Sequence, residues 1–582
     1  MRTATIPLPG RRSAASPPPP SPDGFTIAAV KPLAGLCVAS LVLASVSFPP
    51  LGVWPAVFLC MTPWLAAVGA SRHAPRVYLL SFLWGLAFFL LNMRWMYEAT
   101  GLGYAALSVY QALYFPLAAC PIRHMVRRRG WPLGIAFPMI WIGGEMLRAV
   151  VISGFPWFFL AHPLHGVLSL IQISDVTGAY GVSFVAAAIN GALADLLFAR
   201  LQPGGEDHAL PARKPHVRRA RIGAIFASTT LLLTLGYGVF RLQQTTISRG
   251  PKVAVVQGDF VMAVDGEETP DEEKRKLYMA MLDAAAVEKP DLYVLPETPW
   301  IMYLNAEMRD FRPEWRGSFA TLRRFAMQRQ AHLVTGNASM VQTPHDLLAK
   351  ERRYNSATVF RPDGGEPQRY DKVHLVYFGE TVPFRFGRFR FLYFALNRLM
   401  PFSDGGEVEY SLFPGEERFR TFELKRSADD DKSYHFGIPI CYEDVMPYVA
   451  RRFTAGASKE KQADFLINIS NDGWFGRGTQ QPQHLATCVF RAVENRVGIA
   501  RAVNTGISAF VDPDGRVHHR VVGDNGKTWP RQCGFAVAEI GVDSRLSWYS
   551  RYGDWFGWLC VVAGVLLYVD YWIARAQALR EA

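Results

Sequence analysis

Three side chains suited to thiol-based acyl transfer, Glu297, Lys372 and Cys441, each lie beside an apolar stretch of this sequence. The stretches are VLPE at 294–297, YDKVHL at 370–375 and FGIPIC at 436–441. A thiol attacks a carbonyl as the thiolate, and a carboxylate whose pKa is raised by desolvation can remove its proton. An ammonium group nearby lowers the pKa of the thiol and stabilises the tetrahedral oxyanion. Together the three residue types indicate acyl transfer by a cysteine nucleophile.

Each of the three residues also has an ordinary structural explanation. Free cysteine is among the most buried residue types, so Cys441 could be a core residue. Glu297 could cap the following helix or pair with a surface arginine, and Lys372 could be a solvated loop lysine. The set is more specific than any member, because the chemistry needs all three at predicted strand ends.

The elements that must position these residues lie between 250 and 550, where β-rich runs alternate with helical patterns. One-sided apolar stripes predict helices over 271–288, 316–330 and 482–497. Strands are predicted over 253–257, 292–296, 332–336, 355–361, 436–441, 465–470, 499–504 and 508–512. This alternation predicts an α/β domain whose sheet is covered on at least one face.

The rest of the chain is mostly apolar, which explains a hydrophobic content of 50% beside 19% charged residues. Residues 25–241 contain seven runs long enough to cross a bilayer, and 555–573 forms an eighth. The seven runs are 27–47, 51–70, 78–97, 105–122, 132–152, 178–198 and 222–241. Residues 1–24, rich in proline, serine and arginine, predict a disordered tail rather than a cleavable signal peptide.

The basic residues between the runs predict the orientation in the membrane. They concentrate in alternate loops, whereas the other loops contain only Arg94 and Arg148, both near the ends of spans. The positive-inside rule then places both termini in the cytoplasm and residues 250–550 on the outer side. Topology thus accounts for most of the net charge of +12, and no nucleic-acid partner is predicted.

Two further stretches are rich in aromatic residues. Residues 377–403 interleave phenylalanines with arginines. We expect a lipid-facing arm there, with a core segment and a single-stranded nucleic-acid site as the alternatives. The GFPW stretch at 154–157 is too short to span a membrane, and it either dips into the interface or packs on the bundle.

The seven cysteines predict neither a disulfide framework nor a metal site. Four of them lie in apolar runs, and the chain has no CxxC pair and no Cys/His cluster with zinc spacing. No metal or other cofactor is expected.

The order of the three chemical motifs resembles the nitrilase, or carbon-nitrogen hydrolase, superfamily, and within it the apolipoprotein N-acyltransferases of Gram-negative bacteria. The matching stretches are PET at 296–298, KVHLVYFGETVP at 372–383, ICYE at 440–443, NISNDGWFG at 468–476 and the GFPW stretch. The resemblance implies an αββα sandwich on the periplasmic side of an eight-span bundle in the inner membrane, inserted before the last span.

The resemblance also implies roles for individual residues. Glu297 would be the general base, Lys372 the cation that stabilises the oxyanion, and Cys441 the nucleophile. The remaining matches support the catalytic residues or border the pocket: Glu380, Glu443, Tyr442, Asn355, Trp474, Phe475 and Trp157. The chain departs from the family pattern at Tyr377, where proline is usual, at 494–497, where a Gly-Arg-Pro is missing, and at 384–403 and the tail, which are expanded.

The implied reaction is ping-pong acyl transfer by a monomer. The sn-1 acyl chain of a phospholipid passes to the cysteine as a thioester and then to the α-amine of the diacylglyceryl-cysteine that begins an apolipoprotein. Two other functions remain as alternatives: a membrane-tethered amidase of the same superfamily, and a non-enzymatic scaffold or transporter.

Overall fold

The computed structural model describes residues 29–201, 213–260, 269–343, 351–385, 387–398, 411–425, 432–456, 459–476, 478–523, 526 and 532–581. The predicted tail at 1–24 lies outside the described residues.

The first part of the chain is helical. Its helices are α1 (Val30–Ser47), α2 (Thr62–Ala70), α3 (Ala74–Asn92), α4 (Gly101–Ala112), α5 (Tyr114–His124), α6 (Leu133–Val150), α7 (Leu168–Ile171), α8 (Ser174–Thr177), α9 (Ala179–Leu201) and α10 (Arg213–Leu242).

Seven helical stretches are long and apolar enough to cross a membrane within the described part of the chain. They are Val30–Ser47, Ala74–Asn92, Gly101–Arg129, Leu133–Ser153, Ala179–Arg200, His216–Leu242 and Trp555–Arg580. The predicted span at 51–70 corresponds to a shorter apolar stretch, Trp54–Ala70. It begins as a 3₁₀-helix, Trp54–Phe58, and continues as α2 after a turn.

The remaining elements form an α/β domain followed by a last long helix. The helices are α11 (Asp271–Ala285), α12 (Pro313–Arg329), α13 (Arg390–Asn397), α14 (Pro447–Ala455), α15 (Gln480–Asn495), α16 (Trp548–Tyr552) and α17 (Trp555–Glu581). The strands are β1 (Ile247–Gln257), β2 (Leu292–Val294), β3 (His332–Gln342), β4 (Glu351–Phe360), β5 (Gln368–Asp371), β6 (Phe422–Lys425), β7 (Ser433–Gly437), β8 (Phe465–Ser470), β9 (Gly498–Val503), β10 (Ala509–Val511), β11 (Val517–His518) and β12 (Gly534–Asp543).

The strands form two six-stranded sheets, in the orders β12-β1-β2-β3-β4-β5 and β11-β10-β9-β8-β7-β6. Successive side chains of a strand point to opposite faces, and β1 shows this alternation. Val253 and Val255 share a core with residues of the second sheet, whereas Ala254 and Val256 pack with residues of α11 and α12. The first sheet therefore lies between the second sheet and a helical layer.

Small residues allow the close approaches in both parts of the chain. A Cβ on Gly143 would lie 2.9 Å from the carbonyl oxygen of Cys560, so α6 and α17 pack with their backbones in contact. Between the two sheets, a Cβ on Gly498 would lie 2.2 Å from the carbonyl oxygen of Gly541. Larger side chains at these glycines would push the packed elements apart.

Candidate active site

Glu297 lies three residues beyond the end of β2 and is 5% exposed. Its Oε1 accepts a hydrogen bond of 2.7 Å from Nδ2 of Asn355 on β4. Its Oε2 accepts one of 2.8 Å from the backbone N–H of Asn471, which follows β8 in the other sheet. The carboxylate is thus held from both sheets and has a fixed orientation.

Lys372 directly follows β5 and is 1% exposed. Its backbone N–H donates to the carbonyl oxygen of Asn355 at 2.8 Å, which extends the β4–β5 pairing by one residue. Its Nζ lies 2.9 Å from Oε1 of Glu380. The ammonium is therefore buried beside a carboxylate rather than solvated, unlike most lysines.

Cys441 does not end a strand, and the prediction of a strand over 436–441 is wrong at its end. Strand β7 stops at Gly437, and Ile440 makes only an isolated bridge to Ile469. Pro439 has no N–H to donate, so it cannot continue the ladder. Cys441 instead begins a short 3₁₀-helix and has φ of +52°, a conformation that L-residues rarely adopt. This sharp turn leaves the cysteine partly exposed.

The structure brings these three predicted residues together. The charges of Glu297 and Lys372 both act on the Cys441 thiol, and those two residues also act on each other. Burial raises the pKa of Cys441 well above its usual value; the charge of Glu297 raises it further, and Lys372 opposes both. Burial likewise raises the pKa of Glu297. The raised pKa of Glu297 makes it a stronger base toward the thiol than an ordinary carboxylate would be.

Burial on its own would lower the pKa of Lys372. The neighbouring anionic groups, above all Glu380, outweigh burial, and the net shift of the lysine pKa is upward. Lys372 therefore carries a positive charge beside Cys441, where an oxyanion would develop.

Asn355 and Glu380, two of the predicted supporting residues, complete this arrangement. Nδ2 of Asn355 donates to Glu297 and, at 2.9 Å, to Oε1 of Glu380. Oε2 of Glu380 accepts the backbone N–H of Val376 at 2.9 Å. The amide of Asn355 thus bridges the carboxylates of Glu297 and Glu380, and the carboxylate of Glu380 holds the ammonium of Lys372.

Glu443 is fully buried and joins the turn of Cys441 to the segment after Lys372. Its Oε1 accepts the backbone N–H groups of Val373 at 2.8 Å and His374 at 2.9 Å. Its Oε2 accepts the N–H of Ile440 at 2.9 Å, and the hydroxyl of Tyr370 donates to both oxygens. Burial raises the pKa of Glu443 to about 7, against the lowering effect of these N–H donors.

The predicted aromatic residues lie where the α/β domain meets the bundle. Tyr442 stacks parallel to Trp157, with ring centroids 6.5 Å apart, and its hydroxyl donates to the carbonyl oxygen of Gly154 at 3.3 Å. Trp474 and Phe475 lie on a short 3₁₀-helix after β8. The GFPW stretch is therefore packed at the junction between bundle and domain, with Trp157 only 2% exposed.

A buried charged cluster beside the turn of Cys441 was not predicted from the sequence. His484 on α15 lies between two aspartates, 2.6 Å from Oδ1 of Asp444 and 3.0 Å from Oδ1 of Asp472. Arg501 on β9 pairs with both aspartates. Asp444 belongs to the turn that begins at Cys441, so the cluster anchors that turn. The only sign of it in the sequence was that polar residues such as His484 lie within a predicted helix, which the structure shows to be buried on every side.

The predicted arm carries exposed rings within the described residues of 377–398. Phe391 and Phe394 on α13 are 65% and 54% exposed, and the guanidinium of Arg390 lies over the Phe394 ring. The buried residues of this described stretch are Val382 and Tyr393, which form a small cluster with Leu396 against it, and Asn397. The alternative of a core segment is therefore wrong for the exposed side of this helix.

Comparison with known proteins identifies the family. Residues 40–192 match the family described as apolipoprotein N-acyltransferase N-terminal domain, and residues 252–537 match carbon-nitrogen hydrolase. An apolipoprotein N-acyltransferase of Geobacter metallireducens is 31% identical over 547 residues, covering 91% of this chain and 94% of that protein. One of Chlorobaculum tepidum is 26% identical, covering 92% of this chain and 96% of that protein.

Among solved structures, a mutant amidase of the nitrilase superfamily from Nesterenkonia AN1 aligns at 16% identity and a TM-score of 0.32, covering 51% of this chain and 92% of that chain. The sequence matches carry the assignment, and they exclude the non-enzymatic scaffold or transporter. The chain is a membrane acyltransferase and belongs to the apolipoprotein N-acyltransferase family.

Proposed function

We propose that this chain moves the sn-1 acyl group of a phospholipid, through a thioester on Cys441, to the α-amine of the diacylglyceryl-cysteine that begins an apolipoprotein. The observation that carries the proposal is that Cys441, at a turn where its φ is +52°, lies beside the buried carboxylate of Glu297 and the buried ammonium of Lys372. The family membership supplies the substrate classes.

In the first half of the reaction, Glu297 takes the thiol proton and the sulfur of Cys441 attacks the ester carbonyl carbon. Lys372 stabilises the oxyanion. The C–O bond of the ester then breaks, and the leaving alkoxide takes the proton from Glu297 and departs as a lysophospholipid. The acyl group remains on the sulfur as a thioester.

In the second half, a neutral α-amine attacks the thioester carbonyl. Glu297 takes a proton from the amine, the C–S bond breaks, and the thiolate regains its proton as the amide product leaves. The thioester stores the activation of the acyl group, so the proposal includes no metal, nucleotide or other cofactor.

Both proposed substrates are anchored in a membrane, and the position of the site suits them. Tyr442, next to the nucleophile, packs against Trp157 of the bundle. The exposed rings of α13 supply an apolar surface that would enter the lipid interface, with the arginines meeting phosphate groups.

The arrangement in the membrane is part of the proposal. Eight spans, seven within 25–241 and one at 555–573, would place 250–550 in the periplasm and both termini in the cytoplasm of an inner-membrane protein that acts as a monomer. A reporter enzyme that is active only in the periplasm should be active when it is fused after Arg312. Activity at the same position of a second reporter, one that is active only in the cytoplasm, would overturn this topology.

The nucleophile is tested by incubating the purified protein with phospholipid and measuring its intact mass. An added acyl mass should appear in the wild type and in a Cys533→Ala control, which removes an exposed cysteine. It should be absent from the Cys441→Ala variant. An adduct that persists in that variant would refute the assignment.

The acceptor is tested by adding a diacylated lipopeptide to the acyl-enzyme. The adduct should disappear while N-acylated lipopeptide forms. Release of free fatty acid without any N-acylated product would instead support the amidase.

A further inference from the structure

Gln483 on α15 belongs to the α/β domain, yet each hydrogen bond of its side chain goes to the helical bundle. Its Oε1 accepts the indole N–H groups of Trp95 and Trp157, both at 3.1 Å. Its Nε2 donates to the carbonyl oxygens of Pro49 at 3.1 Å and Asn92 at 3.4 Å. The side chain is 4% exposed, so these contacts replace those with water.

The orientation of this amide follows from its partners. An indole N–H only donates and a backbone carbonyl only accepts, so the oxygen must face the tryptophans and the nitrogen the two carbonyls. The partners come from three separate bundle segments: the connection after α1, the end of α3 with the turn that follows it, and the GFPW stretch. One side chain thus fixes three parts of the bundle against one helix of the domain.

The two tryptophans contact the residues that border the site. Trp157 stacks on Tyr442, the neighbour of the nucleophile, and its carbonyl oxygen accepts a hydrogen bond of 2.6 Å from Arg148. Trp95 lies edge-on to Phe475 at 4.9 Å, and the two indoles are 5.5 Å apart. The indole pair therefore links Gln483 to Tyr442 and to Phe475.

We propose that Gln483 is a positioning residue, which holds Trp95 and Trp157 so that Cys441 faces a lipid-borne ester at the junction of domain and bundle. The inference rests on the proposed function of Cys441. Gln483 acts through the indoles: in the described part of the chain its side-chain hydrogen bonds go to the bundle and not to Glu297 or Lys372, the groups that activate the thiol.

Removing the amide should therefore separate two properties of the enzyme. Two buried indole N–H groups would lose their acceptor, and each unsatisfied group favours a rearrangement of its ring. Acylation of Cys441 by a bulky lipid ester should therefore become slower, whereas the intrinsic reactivity of the thiol should stay the same.

The experiment compares the purified full-length wild type with the Gln483→Met variant, because methionine is close to glutamine in length and volume but lacks the amide group. We expect kcat/KM for acylation of Cys441 by phospholipid to fall about tenfold or more, the loss expected for two unsatisfied buried groups. The rate of Cys441 alkylation by iodoacetamide should change by less than about twofold, because the activating groups are untouched. Asn495→Leu is the matched control; Asn495 is a buried amide on the same helix that bonds to Arg491 and Ser550 and should leave both rates unchanged.

A double-mutant cycle tests whether the effect passes through the indoles. In a Trp157→Phe background, where one of the two N–H donors is already gone, Gln483→Met should cost clearly less than in the wild type. Full additivity, an unchanged acylation rate, or parallel losses of acylation and alkylation would each overturn the inference. Absence of any acyl adduct in the wild type would instead refute the proposed function itself, and the inference with it.

Discussion

The carboxylate of Glu443 connects the segment that carries Lys372 to the turn that carries Cys441, and Glu443→Gln should slow acylation. The wild-type oxygens accept three backbone N–H groups and a hydroxyl. A glutamine has only one oxygen acceptor. If that oxygen keeps the two N–H groups of 373 and 374, the new NH₂ group faces the N–H of Ile440 and leaves it unsatisfied.

The size of the effect follows from this single unsatisfied group. A buried N–H without an acceptor costs about 1–3 kcal/mol. If the turn shifts to relieve that cost and the Cys441 sulfur moves away from Lys372, the same energy is lost from the transition state. That range corresponds to an acylation rate about 5- to 150-fold lower. The remaining hydrogen bonds also weaken, because their acceptor is no longer charged.

The assay measures the rate at which the acyl mass appears on Cys441 after phospholipid is added, together with the thermal unfolding midpoint. Glu416→Gln serves as the control, since Glu416 is an exposed carboxylate of the same domain that pairs with Arg352 at 2.6 Å. A Glu443→Gln enzyme that acylates at the wild-type rate would refute the reasoning. A loss of activity matched by unfolding would show that Glu443 acts on folding rather than on the geometry of the turn.

Three other outcomes are expected. The acylation rate should fall as pH drops through the raised pKa of Glu297, because only the ionised carboxylate takes the thiol proton. The charge of Glu380 contributes to that raised pKa, so in a rate–pH profile the Glu380→Gln variant should lose activity at a lower pH than the wild type does. Asn355→Leu should reduce acylation about 10- to 100-fold in the same mass assay, since both carboxylates lose a buried donor. Replacing both Phe391 and Phe394 with serine should raise the KM for phospholipid vesicles several-fold and leave the alkylation rate of Cys441 unchanged; an unchanged KM would contradict a lipid-facing arm.

Much of the α/β domain could be predicted, because its central strands are continuous apolar runs. The predicted strand at 465–470 coincides with β8, and the helix predicted at 271–288 contains α11. Strand β12 was missed, although it pairs with β1 from Ile247 to Gln257 with a break at 250–251. Its partner lies nearly the whole domain earlier in the chain, and local periodicity contains no information about so distant a pairing.

The candidate site likewise contains residues that could be predicted from the sequence and residues that could not. Glu297, Lys372 and Cys441 could be singled out because their side chains have complementary chemistry and each lies beside an apolar stretch of the sequence. Gln483 and His484 could not, because their roles depend on partners in other elements. Gln483 contacts Pro49 and Trp95, hundreds of residues away, and a one-sided apolar stripe does not predict a helix buried on every side.

The pairing of β1 with β12 has a consequence for how such a protein can be rebuilt. Ile247 and Asp543, the two ends of the α/β domain, are direct partners in an antiparallel ladder, where opposite Cα atoms lie about 5 Å apart. The two chain connections between the domain and the membrane helices, after α10 and before α17, therefore begin side by side at this ladder. A relative's domain joined at these two points would keep the spacing of the two connections, and it would replace the native domain if its bundle-facing contacts, such as those of Gln483, also match.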